Sequence, residues 1–358
     1  MSMDSVRDDH ELNATLAHKP RRVVFRSDAT KDIGLGHVMR CIALGSTLVE
    51  RGWDVALATA NPPDVVKEAA SEFGITCVPT DAAGSPDLII VDGYHFTTDF
   101  YDQLDRRGLV YAVIDDYART TARHPALIID QNPGVTVEHY GQWAAGTTFA
   151  LGLDFALVRS AVRARRFAHD NTQSLGERGT QILLSMGGSD PRRWTVPIAR
   201  ALDRHDIDVT VVVGAASADA SDTLAQLQDL GCITICNPHE FVADLAVSAI
   251  AVVGAGTTLW ESAALGTPSI GLVIADNQAG PAEAATALGF TSTLDLRREV
   301  SSEELNALAD EVAQRVTTLL ADQSRLATMS ALGSTAVDGR GPERVADLVA
   351  ATLTNRMG

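Results

Sequence analysis

Val23-Val24-Phe25-Arg26-Ser27-Asp28, followed after a short loop by Gly34-Leu35-Gly36-His37-Val38-Met39-Arg40-Cys41, is the stretch whose reading decides the fold. The apolar run with β-branched residues reads as a buried strand. The segment from about Gly36 to Arg51 carries helix-spaced apolar residues at Val38, Ile42, Leu44 and Leu48. The order is strand, glycine loop, helix. Gly34 and Gly36 let the backbone turn sharply and come close to a ligand, and the free N–H groups of a first helical turn attract an anion. His37 stands at that helix start, where an imidazole can serve as a general base toward water; the competing reading, a histidine that only caps or packs the helix, stays open here. Asp28, at the carboxyl end of the strand, is placed to fix the imidazole tautomer or to accept a sugar hydroxyl. The spacing is neither G-x-G-x-x-G nor a P-loop, so the turn alone does not name its ligand.

The chain around this unit has 358 residues, long for one core, which predicts two domains. Hydrophobic residues at 46% and charged residues at 21% describe a globular protein with apolar material for sizeable cores. A formal charge of −17 argues against nucleic acid or an anionic membrane surface as partner, since both reward clustered Lys and Arg. Apolar runs are strand-length and interrupted, and residues 1–21 read as a flexible polar tail without a secretory h-region. A cytoplasmic protein without stable membrane association is the expectation. Cys41, Cys77, Cys232 and Cys236 are scattered and read as reduced thiols, and no second Cys or His pair completes a zinc site near Cys232 and Cys236.

Beyond the first helix, Asp54 to Ala58, Asp87 to Asp92, Leu109 to Ile114 and Ala126 to Asp130 read as strands alternating with helical stretches, and Ile75 to Pro79 is short and apolar. Several end in carboxylates. This alternation describes a doubly wound parallel sheet over residues 22–165. The basic patch Arg159 to Arg166 and the polar stretch that follows mark a linker at 166–179, the arginines being read as a brace for the interdomain hinge. Residues 180–358 then start again, with Gln181 to Ser185 as a strand running into Met186-Gly187-Gly188-Ser189-Asp190-Pro191. Ile250 to Val253 leads into Gly254-Ala255-Gly256-Thr257-Thr258-Leu259-Trp260-Glu261, a small-residue turn opening a helix whose N–H and Thr O–H groups suit a diphosphate. Glu261, one turn in, is placed to accept both ribose hydroxyls of a nucleotide. Asn277 and Gln278 offer amides to a sugar or base edge, or else cap a helix. Terminal helices near 302–320 and 341–353 are assigned to this second domain.

The ordered set Phe25 to Asp28, Ile33 to Cys41, Met186 to Asp190, Gly254 to Glu261, Ala275 to Gln278 and Asp338-Gly339-Arg340-Gly341 resembles the UDP-sugar hydrolases of pseudaminic acid biosynthesis, and is similar to spore-coat polysaccharide proteins, over about residues 22–352. The resemblance implies a GT-B-like fold of two Rossmann-type domains facing across a cleft. It implies a UDP-linked diacetamido-trideoxyhexose as substrate, cleaved with inversion, with no cofactor and no required metal. His37 corresponds to the general base. Gly187, Gly188 and the turn Gly256-Thr257-Thr258-Leu259 correspond to the diphosphate cradle, Glu261 to the ribose acceptor, and Asn277 and Gln278 to sugar-side contacts, joined by Arg26, Asp28, Asp92 and Tyr94. A GT-B glycosyltransferase passing the sugar to a soluble acceptor is the alternative.

Overall fold

Short strands rich in Val, Ile and Leu, buried along their whole length, need cover on both faces, and such strands pair in parallel with helices above and below. A computed structural model of the chain describes residues 20–30, 34–82, 84–143, 146–168, 180–188, 190, 192–214, 220–235 and 238–357. Most of the expected tail (1–21) and linker (166–179) lies outside those residues, as do Ile33, Ser189, Pro191 and Cys236. The first sheet contains β1 (Arg22–Ser27), β2 (Asp54–Ala58), β3 (Thr76–Val78), β4 (Leu88–Asp92), β5 (Tyr111–Ile114), β6 (Leu127–Asp130) and β7 (Thr148–Leu151), in the order β3-β2-β1-β4-β5-β6-β7. The second contains β8 (Ile182–Ser185), β9 (Val209–Val212), β10 (Ile233–Ile235), β11 (Ile250–Gly254), β12 (Ser269–Val273) and β13 (Thr291–Asp295), in the order β10-β9-β8-β11-β12-β13. All their pairings are parallel.

In each sheet the strand order reverses once, between β1 and β4 and between β8 and β11. Doubly wound sheets bind ligands at the carboxyl edge of that reversal, because the two flanking connections leave to opposite faces and open a crevice. The loops that follow these four strands are those carrying Asp28, Gly93-Tyr94, Met186-Gly187-Gly188 and Ala255-Gly256.

The helix Gly36–Glu50 buries Val38, Cys41, Ile42, Leu44 and Leu48 against β1, β2 and β4 through Phe25, Val55, Leu57 and Ile90. Chain order and packing part company near the boundary. Ala156, Val158 and Val162 belong to the core of the second sheet, beside Leu183, Leu245 and Trp260. The last helix, Gly341–Met357, returns to the first sheet, where Val345, Ala346, Val349 and Leu353 join the core of Phe25 and Leu48. Assigning all of 180–358 to the second half is therefore corrected. Val345, Val349 and Leu353 recur at four-residue spacing and form one apolar stripe, which the first sheet buries. Arg51 fastens the helix through Asp347 at 2.7 Å and the Glu343 carbonyl at 3.0 Å.

The crossing helix Ser160–Phe167 uses its arginines as the brace the sequence suggested. Arg163 reaches Glu343 at 2.6 Å and Glu50 at 3.5 Å, while Arg166 donates to the carbonyls of Ala264 and Ser334. Among the described residues no helix is long and apolar enough to cross a membrane.

Leu353→Ala is expected to destabilise the protein by about 2–5 kcal/mol in urea unfolding. Amide exchange should accelerate in β1 and β4 and leave β11 unchanged; acceleration confined to β11 would return the last helix to the second half.

Candidate functional site

β4 is apolar until its final residue, so the pleat delivers Asp92 to the carboxyl edge with no exposure, opposite Ser27 of β1. His37 and Arg40 lie three residues apart at the start of the neighbouring helix and share a face. Both converge on Asp92. His37 Nδ1–H donates to Asp92 Oδ1 at 2.6 Å, and Arg40 donates Nε to Oδ2 at 2.6 Å and Nη2 to Oδ1 at 2.7 Å. Arg40 also donates to both oxygens of Asp116 at 3.1 and 3.0 Å. Asp116 accepts further from Tyr94 Oη at 2.5 Å and Asn132 Nδ2 at 2.6 Å.

This arrangement assigns the tautomer. Arg40 Nη2 lies 3.2 Å from His37 Nδ1 but can only donate, and a carboxylate can only accept, so Nδ1 carries a proton and the lone pair of the neutral imidazole is the one on Nε2. Among the described residues no hydrogen bond is made to Nε2, and His37 lines the main cavity. The ring of Tyr94 stands edge-on to His37, with centroids 4.8 Å apart.

Burial alone would raise both carboxyl pKa values. Arg40 and His37 outweigh it at Asp92, and Arg40, Tyr94 and Asn132 outweigh it at Asp116, so both sit below the usual carboxylate range. Asp130 pairs with no cation among the described residues; burial and the Asp116 charge push it up to about 6. Burial and Asp116 also hold the Tyr94 phenol far above its ordinary value, so it remains a donor.

Asp28 does not orient His37. Its carboxylate accepts from Arg26 Nη1 at 2.7 Å, the Ala60 amide at 2.8 Å and His95 Nε2 at 2.8 Å. β4 instead ends within hydrogen-bonding distance of His37. Asp92 therefore holds the place expected for Asp28, and Asp28 orients His95 instead. Arg26, seated 4.8 Å over the Phe96 ring, and Asp28 both lie behind the cavity wall, which His95 forms.

The cavity, about 770 Å³, spans both carboxyl edges. From the first half it takes Gly34, Gly36, His37 and Tyr94; from the second, Gly187, Gly188, Gly256, Thr257, Thr258, Glu261, Asn277 and Gln278. Gly187 has φ +83°, and a Cβ on Gly188 would overlap the side chain of Leu35 in the facing loop and force it to move. Leu259 is the exception among the cradle residues. It is fully buried in the core beneath the turn, with its amide bonded to the Gly256 carbonyl at 3.0 Å. The Asn277 side chain lies close to the Tyr94 hydroxyl, while Gln278 Oε1 accepts from the Ile274 amide at 2.9 Å and steadies its own loop. Both oxygens of Glu261 are paired with Arg159. Among the described residues no three His, Cys, Asp or Glu side chains are grouped to hold a metal ion.

Sequence reasoning did not single out Asp116 or Arg159 as site residues, and it used Arg40 only as part of a motif. Asp116 carried a signal, a carboxylate just past a strand end, but its link to Arg40 requires β5 to lie beside β4.

Arg40→Met is expected to cost about 3–5 kcal/mol at pH 7, because it leaves two buried carboxylates without their cation. In the wild type, the stabilisation from depressed Asp92 and Asp116 is complete above their unfolded value near 3.8 and is lost as pH falls below it. In the variant these groups shed their charge by taking up protons on acidification. Urea unfolding at pH 7 and at pH 4.5 should therefore show a smaller difference from wild type at the lower pH; a constant difference would rule out the charge origin.

No family model matches the chain. It is similar to a Helicobacter pylori protein described as "pseudaminic acid cytidylyltransferase and UDP-2,4-diacetamido-2,4,6-trideoxy-beta-L-altropyranose hydrolase", with 23% identity over 265 residues, 74% of this chain and 46% of that protein. The chain thus spans about half the length of the curated relative it matches. Among solved structures it is similar to MurG of Acinetobacter baumannii, with TM-score 0.58, 13% identity, and coverage of 93% of this chain and 100% of that one. It is also similar to MnaA of S. aureus with UDP (TM-score 0.62, 12% identity, 93% and 97% covered) and to the calicheamicin glycosyltransferase CalG4 (0.56, 17%, 94% and 99%). At such identities the likeness establishes the fold. The fold is GT-B-like, two parallel-sheet α/β domains facing across a cleft, as the sequence resemblance implied.

Proposed function

We propose that the chain hydrolyses a UDP-linked diacetamido-trideoxyhexose of the pseudaminic acid type to free sugar and UDP, by inverting attack of water at the anomeric carbon. The observation that carries this reading is the His37–Asp92 pair, which leaves Nε2 without a hydrogen-bond partner among the described residues, in a cavity whose other wall is built from glycine turns. The name of the Helicobacter pylori relative supports the same reaction class and sugar.

In this scheme Nε2 takes a proton from water as the water oxygen bonds to the anomeric carbon. The bond from that carbon to the diphosphate oxygen breaks on the opposite face, and its electron pair leaves with UDP. Asp92 stabilises the imidazolium that forms, and Arg40 keeps Asp92 ionised for that task. UDP is a good leaving group, so the protein must position one base and receive developing charge. The Gly188 N–H and the hydroxyls of Thr257 and Thr258 are the donors for the diphosphate, with Gly187 and Gly256 shaping the turns, since their own N–H groups donate to Ser185 Oγ and the Gly254 carbonyl. Glu261 takes the ribose, and Tyr94, Asn277 and Gln278 lie on the sugar side. No cofactor enters the scheme, and no metal is required by it.

The likeness to MurG and CalG4 favours a second reading, in which the same base deprotonates an acceptor hydroxyl and the sugar is transferred. Proton NMR with the UDP-sugar, EDTA and no acceptor separates the two. Free sugar of inverted anomeric configuration appearing with UDP is the expected outcome; UDP binding without release gives the transferase precedence. His37→Ala is expected to slow turnover by ~10²- to 10⁴-fold or more while UDP affinity stays within a few fold. A variant with wild-type rate would remove His37 from the chemistry.

A further inference from the structure

A second histidine lines the cavity, outside every motif that carried the resemblance. His95 belongs to the same wall as His37 and Tyr94, and 36% of its side chain is exposed, so a bound molecule can reach it. Its Nε2 lies 2.8 Å from Asp28 Oδ2, while Arg26 Nη1 and the Ala60 amide donate to Asp28 Oδ1 at 2.7 and 2.8 Å. Burial would raise the Asp28 pKa, but Arg26 and Ala60 outweigh it and keep the group a carboxylate, which can only accept. Nε2 therefore carries a hydrogen, and the neutral ring keeps its lone pair on Nδ1. Among the described residues no hydrogen bond is made to Nδ1.

The turn before His95 admits this ring and little else. Gly93 has φ +150°, and a Cβ there would stand 2.7 Å from His95 Cε1 and 2.9 Å from Nδ1, so any other residue at 93 would displace the imidazole. The ring also lies 4.0 Å, centroid to centroid, from Phe96, over which Arg26 is seated. Asp28, Phe96 and Gly93 thus hold the imidazole in one place and one tautomer. An acceptor fixed in this way, beside the base, matches a donor on the bound molecule. The diacetamido sugar of the proposed reaction carries such donors, the N–H groups of its acetamido arms and a ring hydroxyl.

We infer that His95 is a substrate-contact residue that selects the sugar: Asp28 fixes its tautomer so that Nδ1 accepts a hydrogen bond from an N–H or O–H group of the transferred sugar, a contact that UDP alone does not make. The inference rests on reading the cavity as a UDP-sugar site.

Calorimetric titration of the full chain with UDP and with the UDP-diacetamido sugar tests it, in a His37→Ala background that keeps the donor intact. The side-chain amide of asparagine reaches about as far as Nδ1 of histidine and that of glutamine about as far as Nε2, which separates contact with the sugar from contact with Asp28. His95→Gln keeps a donor for Asp28 and loses the acceptor. It should bind the UDP-sugar about fivefold or more weakly than the parent, the scale of one hydrogen bond, and UDP within about twofold. His95→Asn should recover part of that loss. Unchanged UDP-sugar affinity in His95→Gln overturns the inference, because support of Asp28 would then be the whole role of the ring, and an equal loss for UDP overturns it as well. A selective loss in His95→Gln upholds the contact even where wild type releases no sugar, an outcome that defeats only the hydrolase reading. Binding of UDP without the UDP-sugar by the parent defeats the UDP-sugar reading, and this inference with it.

Discussion

A carboxylate with no exposure must be paired, and the site is arranged around how Asp92 meets that requirement. Its two oxygens take the guanidinium of Arg40 and the Nδ1–H of His37. The ion pair neutralises a charge that burial would otherwise expel, and the same contact orients the imidazole. Arg40 has donors left over and spends them on Asp116, which in turn holds Tyr94 beside the histidine ring. Four elements are tied by one cation: the first helix, the ends of β4 and β5, and the loop after β4. Fold stability and site geometry therefore depend on the same contacts.

The two halves are not independent in their packing. The chain crosses into the second core before residue 160, and its final helix comes back to the first. Arg163 binds the crossing helix to both Glu50 and Glu343, and Arg166 binds it to the segments that follow. The crossover carries Arg159 into the cavity at Glu261, so the hinge region contributes directly to the wall it spans. Leu35 packs against Gly188 and Tyr94 lies close to Asn277, so the halves also meet on the other side of the cavity.

Much of the architecture was legible from local pattern. β2 and the helix Ser302–Leu320 occupy the residues that periodicity assigned to them, and the glycine turns at 34–36, 187–188 and 254–256 all fall at the cavity. The elements that escaped include β7, β10, β13 and the helices Ala220–Asp229, Pro238–Val247 and Gln323–Ala336. Three-residue β10 offers too short a run to read, and the helix Gln323–Ala336 mixes small and polar residues without a clear apolar stripe. Arg26 and Leu259 were expected at the site from the resemblance, and Asp28 also from its place at a strand end; none of the three lines the cavity. Arg26 and Asp28 turn inward to His95 and Phe96, and Leu259 faces the core because successive helical positions point about 100° apart.

By itself the sequence determined the alternation of buried strands and helices, the turns that need glycine, and the placement of His37 at a helix start. These are local matters, set by backbone sterics and hydrophobic period within a dozen residues. Tertiary structure alone decided which carboxylate meets the histidine, because Asp28 and Asp92 both end parallel strands and only the β1–β4 reversal puts one of them beneath it. It also decided where Arg159 and the last helix go. An ion pair or an apolar stripe specifies that a partner must exist, and the topology of the two sheets chooses which one is within reach.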